Sequence, residues 1–191
     1  MKMDIILAGV GGQGVLSIAA MIAEAAHSEG LKVRQSEVHG MAQRGGAVLA
    51  HLRISDTAIA SDLVPKGSAD LIISMEPIES LRYLDWLSPK GALVTAAEPF
   101  INIPDYPNLD GIYASIRKIP NAHIVEAAGL AKEAGLARSV NVVIVGAASP
   151  FLPLKIETIE TVIRKQCAAK EPSVTNANLK ALALGRKAAE K

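Results

Sequence analysis

The chain has 191 residues, half of them apolar, with 20 lysines and arginines against 19 acids and a net charge of +1. This composition suits a soluble globular protein, one domain over 1–191 with a sizeable aliphatic core, and it carries no charge excess of the kind that binds polyanions. Two Phe, three Tyr and one Trp leave little to stack on bases, so no nucleic acid partner is expected, and no run approaches the roughly 20 apolar residues of a membrane span.

A single cysteine, Cys167, rules out internal disulfides, cysteine-held iron–sulfur clusters and a structural zinc site of the cysteine-rich kind in this chain. Asp4, four glycines and Gln13 interrupt the apolar N-terminal stretch, so it does not read as a signal peptide. A cytoplasmic location is the expectation.

The first element is an apolar strand, Ile5-Ile6-Leu7-Ala8, feeding into Gly9-Val10-Gly11-Gly12-Gln13-Gly14 and then a helix. Glycines at 9, 11 and 14 satisfy G-x-G-x-x-G in the strand-to-helix context that gives the pattern its meaning. Such a turn brings the backbone close to a ligand and aims amides and a helix N-terminus at one small volume, which favours an anion. The same glycines would equally serve close helix–strand packing with no ligand at all.

From Gly14 to Ser28 the apolar residues Val15, Ile18, Ala19, Ile22 and Ala26 fall at three- and four-residue steps, and Gly30 stands where a helix C-terminal glycine belongs. Leu31 to Gln35 alternates as a second strand, so 5–35 reads as a right-handed β-α-β unit with Glu37 near its end. The stretch Glu37-Val38-His39-Gly40-Met41-Ala42-Gln43-Arg44-Gly45-Gly46 is polar and flexible where a short connection is due, and loops are where sites reside.

Ala47 to Ile54 resumes strand alternation, with His51 and Arg53 opposite in facing to Leu52 and Ile54; Ser55-Asp56 turns, and Ala58 to Ser61 can pair back as a hairpin. Ala69 to Ser74 is a buried-type strand. Pro77 suits the first turn of a helix over 78–87, which places Glu76 at a strand's C-terminal end, the usual edge of a site. Ser88-Pro89-Lys90-Gly91 turns into a strand at 92–95, and Pro99, Pro104 and Pro107 impose an extended covering loop.

A strand over 121–126 and an alanine-rich helix over 127–136 follow. The run Asn141-Val142-Val143-Ile144-Val145-Gly146-Ala147 is ambiguous: its β-branched residues favour strand, its surroundings a buried helix. Segments 155–169 and 177–189 are amphipathic helices.

On these passages the chain resembles the gamma-type domain of the 2-oxoacid:ferredoxin oxidoreductases over nearly its whole length. The similar residues are Gly9 to Val15, Arg44-Gly45-Gly46, and the segment from Asn141 to Gly146-Ala147, which is helical in that family and is therefore read as helix here. The wording from Glu37 to Gly46 resembles the indolepyruvate branch; the pyruvate and 2-oxoglutarate branches carry a tyrosine-containing phrase there.

The resemblance implies an α/β fold: a Rossmann-like three-layer sandwich with a mainly parallel sheet and C-terminal helices. It also implies a small cytoplasmic subunit of an enzyme that oxidatively decarboxylates an aryl pyruvate to an acyl-CoA and reduces ferredoxin. No Gly-Asp-Gly element of the thiamine diphosphate motif occurs, and one cysteine cannot hold a cluster. Thiamine diphosphate, Mg2+ and the iron–sulfur clusters are then expected in a large alpha subunit, with ferredoxin met through the complex and coenzyme A as a co-substrate able to contact this chain.

The residues expected to face a cofactor or the partner are Gly9, Gly11, Gly12, Gln13, Gly14, Glu37, His39, Gly40, Gln43, Arg44, Gly45 and Gly46. No catalytic or metal-binding residue is assigned. Glu37 can take a ribose hydroxyl or merely orient its loop, and His39 can be a cleft group or a backbone-satisfied histidine. Arg44, between permissive neighbours, suits bidentate contact with a carboxylate or phosphate. His27, His51, His123 and Cys167 read as structural.

Other readings stay open: a gamma subunit for pyruvate, 2-oxoglutarate or branched-chain 2-oxoacids, a dinucleotide-binding Rossmann protein, or a nucleotide-sensing module. The glycine turn, the 37–46 loop and Glu76 are expected to converge at the C-terminal edge of the sheet.

Overall fold

The computed structural model describes residues 1–39, 45–101 and 105–190. Six strands, β1 (Lys2–Val10), β2 (Lys32–His39), β3 (Ala47–Ser55), β4 (Ala69–Ser74), β5 (Leu87–Ala96) and β6 (Ala122–Val125), form one sheet in the order β2-β3-β1-β4-β5-β6. Among the described residues seven α-helices complete the fold: α1 (Val15–Ser28), α2 (Pro77–Arg82), α3 (Leu109–Ile116), α4 (Ala127–Glu133), α5 (Val140–Ala148), α6 (Ile156–Gln166) and α7 (Pro172–Ala189).

Strands β1, β4, β5 and β6 pair in parallel, whereas β3 is antiparallel to both β1 and β2. Two antiparallel pairings follow one another, so β2 points the same way as β1 while lying two places from it. The expected β-α-β unit is therefore not a pair of neighbours, because β3 enters between its strands. Residues 58–61 form no hairpin; they cross the sheet face instead, where the Arg53 guanidinium donates to the Ser61 and Leu63 carbonyls at 3.0 Å each and the His51 Nδ1 accepts the Val64 N–H at 3.1 Å. Two buried polar side chains on β3 thus hold the segment that pairing does not.

Helices cover both faces, and that explains why β1 is buried from Met3 to Val10 without alternation. One face carries α1, α4, α5, α6 and α7 over Ile5, Leu7, Leu71, Ile73 and Val94; the other carries α2 and α3 over Ile6, Ile72 and Leu93. The three-layer, mainly parallel expectation holds.

The helix expected over 78–87 stops at Arg82, since Leu84–Trp86 tightens to a 3₁₀ turn and Leu87 already belongs to β5. A bulge opposite Ala69/Leu71 takes up the early start of β5. Gly91 permits it, because a Cβ there would meet the Ala69 carbonyl oxygen at 2.8 Å. Asn108 begins α3, which the proline-rich reading of this region missed: its side chain accepts the Asp110 N–H at 2.8 Å.

The ambiguous run at 141–147 is helical, with Val142 to Ala148 all buried. It lies between the sheet and α7, and the crossing of α5 with α7 depends on Gly146 and Gly185. A Cβ on Gly185 would come to 2.8 Å of the Val143 carbonyl carbon, and one on Gly146 to 2.9 Å of the Leu182 carbonyl carbon. Tertiary burial overrides β-propensity here.

Candidate functional site

Strand β1 ends at Val10, and the backbone then needs two residues in the left-handed region, Gly12 at φ 101° and Gly14 at φ 83°. Gly14 is the N-cap of α1 and contributes no side chain, so no side-chain cap competes for the Val15 and Leu16 amides, while the Ser17 N–H already donates to the Gly14 carbonyl at 3.0 Å. Gly9 has a different reason: a Cβ there would meet Val15 Cγ2 at 2.7 Å and Met75 Cβ at 3.1 Å. The packing reading thus holds at Gly9, whereas a Cβ on Gly12 would meet no described residue within 4 Å.

Gln13 is a brace. Its Oε1 accepts the Val10 N–H at 2.7 Å and its Nε2 donates to the Met75 carbonyl at 3.1 Å, tying the end of β1 to the end of β4. The Met75 N–H also reaches the Ala8 carbonyl at 3.0 Å. Gly11 is clasped to the start of β3: its N–H donates to the Gly46 carbonyl at 2.8 Å, and the Gly45 N–H donates to the Gly11 carbonyl at 3.4 Å. The expected meeting of the glycine turn with the end of the 37–46 stretch is therefore present at Gly45-Gly46. Gly40, Gln43 and Arg44 lie outside the described residues.

Glu37 belongs to β2 and shares the face of the sheet that carries α1, opposite Ala50, and His39 ends the same strand in register with Val48. Because β3 intervenes, Glu37 stands roughly 10 Å to the side of β1, at strand spacings of about 4.8 Å. In a dinucleotide-binding unit that acid would end the strand next to the glycine turn.

Glu76 does stand at the C-terminal end of β4, but it is wholly buried and faces the α2–α3 side. Its carboxylate caps α2 through the Glu79 N–H at 2.8 Å, accepts the Phe100 N–H at 3.3 Å and accepts the Tyr106 hydroxyl. Burial, reinforced by that carboxylate, pushes the Tyr106 phenol well above the ordinary tyrosine range. Glu76 therefore anchors the segment after β5.

A cleft of about 400 Å³ opens beyond the ends of β1, β4 and β5, lined by Gly12, Gln13, Gly14, Met75, Glu98, Arg138 and Asn141 among others. Its position outside the carboxyl ends of parallel strands is where open α/β sheets hold ligands. One wall is the glycine turn with the α1 N-terminus and another is the start of α5, where Asn141 sits in the first turn.

Glu98 follows β5 and accepts the Ala128 N–H of α4 at 2.6 Å. The nearby Tyr113 phenol is raised by burial, then by the Glu126 and Glu98 carboxylates; its hydroxyl donates to the Ala97 carbonyl at 2.6 Å. Sequence reasoning missed Glu98 and Arg138. No local motif marks them, and only the convergence of β5, α4 and α5 brings them beside Gly12.

Among the described residues no group of three or more His, Cys, Asp or Glu could hold a metal ion, and Cys167 is buried. The residues described do not fit a cluster or a metal-bound diphosphate. Among the described residues no helix is long and apolar enough to cross a membrane.

Residues 4–188 match the family profile described as pyruvate ferredoxin/flavodoxin oxidoreductase. The chain belongs to that family. It is 39% identical to the indolepyruvate oxidoreductase subunit IorB of Archaeoglobus fulgidus, covering 97% of this chain and 94% of that protein. It is likewise 39% identical to the protein of the same name from Pyrococcus horikoshii, over 98% and 96% of the two chains.

The fold matches 2-oxoglutarate:ferredoxin oxidoreductase from Magnetococcus marinus, a structure with 2-oxoglutarate, coenzyme A and succinyl-CoA bound, at a TM-score of 0.79 and 24% identity. The match covers 99% of this chain but spans 31% of the Magnetococcus chain. The same α/β fold thus forms a fraction of that longer polypeptide.

Proposed function

We infer that this chain is the small subunit of an indolepyruvate or closely related aryl pyruvate:ferredoxin oxidoreductase. That enzyme forms an acyl-CoA by oxidative decarboxylation and passes electrons to ferredoxin. The observation that carries this reading is the end-to-end likeness to two indolepyruvate oxidoreductase subunits at 39% identity, over chains of almost the same length.

Thiamine diphosphate, Mg2+ and the iron–sulfur clusters belong to the large subunit, which supplies the chemistry of decarboxylation and electron transfer. This chain supplies the C-terminal edge of its sheet: a clasped glycine turn and a cleft able to receive the anionic part of coenzyme A. Arg44 directly precedes the Gly45-Gly46 clasp and is assigned to contact with the partner or with the co-substrate. The dinucleotide alternative is disfavoured by the intervening β3, which separates Glu37 from the turn.

The test is co-expression with the large subunit and an indolepyruvate-dependent ferredoxin reduction assay. The complex should turn over while this chain alone is folded, colourless and inactive. Stoichiometric iron in the isolated chain, or no dependence of turnover on its presence, would refute the reading. Arg44→Ala should assemble yet lower turnover strongly, and Arg44→Lys should restore little because the ammonium lacks the planar fork. Wild-type turnover by the alanine complex, with unchanged dependence on coenzyme A, would remove Arg44 from the site.

A further inference from the structure

The cleft contains one group whose arrangement the subunit reading leaves without purpose. Glu98 Oε1 accepts the Ala128 N–H and so caps α4, whose own N-cap residue, Glu126, offers no side-chain hydrogen bond. Capping needs only that oxygen. The other, Oε2, is buried, and among the described residues it is the one buried side-chain polar atom without a hydrogen-bond partner.

A carboxylate oxygen taken from water with no donor is costly, and native structures leave few such atoms without a use. Arg138 and Asn141 line the same cleft, but neither is hydrogen-bonded to Glu98. Across the cleft the chemistry is of opposite sense: the first-turn amides of α1 and the Arg138 guanidinium are donors suited to an anion.

A site with donors on one wall and an unused acceptor on another fits a molecule that has an anion at one end and an N–H or O–H donor at the other. The volume, about 400 Å³, falls in the range that holds small ligands. We propose that Glu98 is a specificity-determining acceptor, its Oε2 taking a ribose hydroxyl or an adenine amino group of a nucleoside phosphate whose phosphate lies against the glycine turn. The adenosine phosphate portion of coenzyme A is such a group. The proposal rests on the cleft being part of the coenzyme A path.

The test is calorimetric titration of the full chain with coenzyme A, ADP and sulfate, an anion without a donor at neutral pH, in wild-type and Glu98→Gln proteins. Glutamine keeps the acceptor for Ala128 and presents an amide where Oε2 was. The expected result is about tenfold weaker binding of coenzyme A and ADP with sulfate affinity unchanged or increased. Parallel tightening of all three would mean that the carboxylate only repels anions, and no change in any would mean that it touches no ligand; either overturns the proposal.

If the variant does not fold, wild-type protein decides the matter with ADP, IDP and 2′,3′-dideoxy-ADP. One of the two analogues, lacking the amino group or the ribose hydroxyls, must bind about tenfold more weakly, and equal affinity for all three refutes the role. Failure of wild type to bind ADP or coenzyme A overturns both this proposal and the placing of the cleft on the coenzyme A path. The subunit reading, tested by turnover of the complex, would stand.

Discussion

Glycine does opposite work in two regions of this protein. Where α5 crosses α7, Gly146 and Gly185 are walled in by the partner helix's backbone, so that any side chain would force the helices apart. In the turn after β1, Gly12 is held at φ 101°, a Cβ there would meet no described residue within 4 Å, and the space it leaves belongs to the cleft. The first pair exists for packing. The second exists because the chain must turn tightly and leave room, and Gly9, pressed against Val15 and Met75, joins the packing class although it lies in the same motif. A glycine motif is thus not one feature: its members are sorted by what a methyl group would strike.

Substitutions can break that distinction. Gly185→Ala should destabilise most, by about 3 kcal/mol or more, since the obstacle is rigid helix backbone with no rotamer to yield. Denaturant unfolding with an unchanged m-value would measure it, and a loss below 1 kcal/mol would show that the helices slide apart freely. Gly9→Ala should cost about 2 kcal/mol, because the Val15 methyl and Met75 that it meets can give slightly.

The β3 side chains that hold residues 58–64 provide a pH-dependent contrast. Burial, then the charge of Arg53, keeps the His51 imidazole below its ordinary value, and burial does the same to His123. A histidine depressed in the fold binds its proton more tightly when unfolded. Its stabilisation is therefore complete above the ordinary value of about 6.5 and is lost as pH falls below it.

Unfolding free energy should decline from pH 7 to pH 5, and His51→Asn, which keeps an acceptor for Val64 but cannot titrate, should flatten the profile. An unaltered slope would place the effect elsewhere. The smallest stability change is expected at Gly12→Ala, about 1 kcal/mol of left-handed backbone strain. That variant should nonetheless weaken coenzyme A binding at the cleft, which separates space kept for a ligand from space filled by packing.

Much of the architecture was legible along the chain. The apolar runs of β1 and β4, the helical steps of α1, α6 and α7, and the glycine turn between β1 and α1 follow from periodicity, because each element is selected by its own residues. The meeting of the 37–46 stretch with the glycine turn was legible from its glycines and polarity, and it is present as the Gly11 bonds to Gly45 and Gly46. What misled was locality: Pro99 and Pro107 drew attention away from the Asn108 cap, and the strand propensity of Ala58 to Ser61 was overruled by Arg53 and His51, which hold that segment across the sheet face.

The sequence by itself determined the class of fold, the position of the glycine turn and the absence from this chain of enough cysteines to hold a cluster, since these depend on residue type and short spacing. Only the tertiary structure decided that β3 enters between β1 and β2, that the β-branched run read as helix by resemblance is buried against α7, and that Glu76 faces inward while Glu98 lines the cleft. Each of these rests on contacts between residues far apart in the chain. Strand order follows from which apolar faces can be covered together, a buried β-branched run becomes helix where a glycine-backed neighbour receives it, and a carboxylate acquires a use only from the atoms that fold around it.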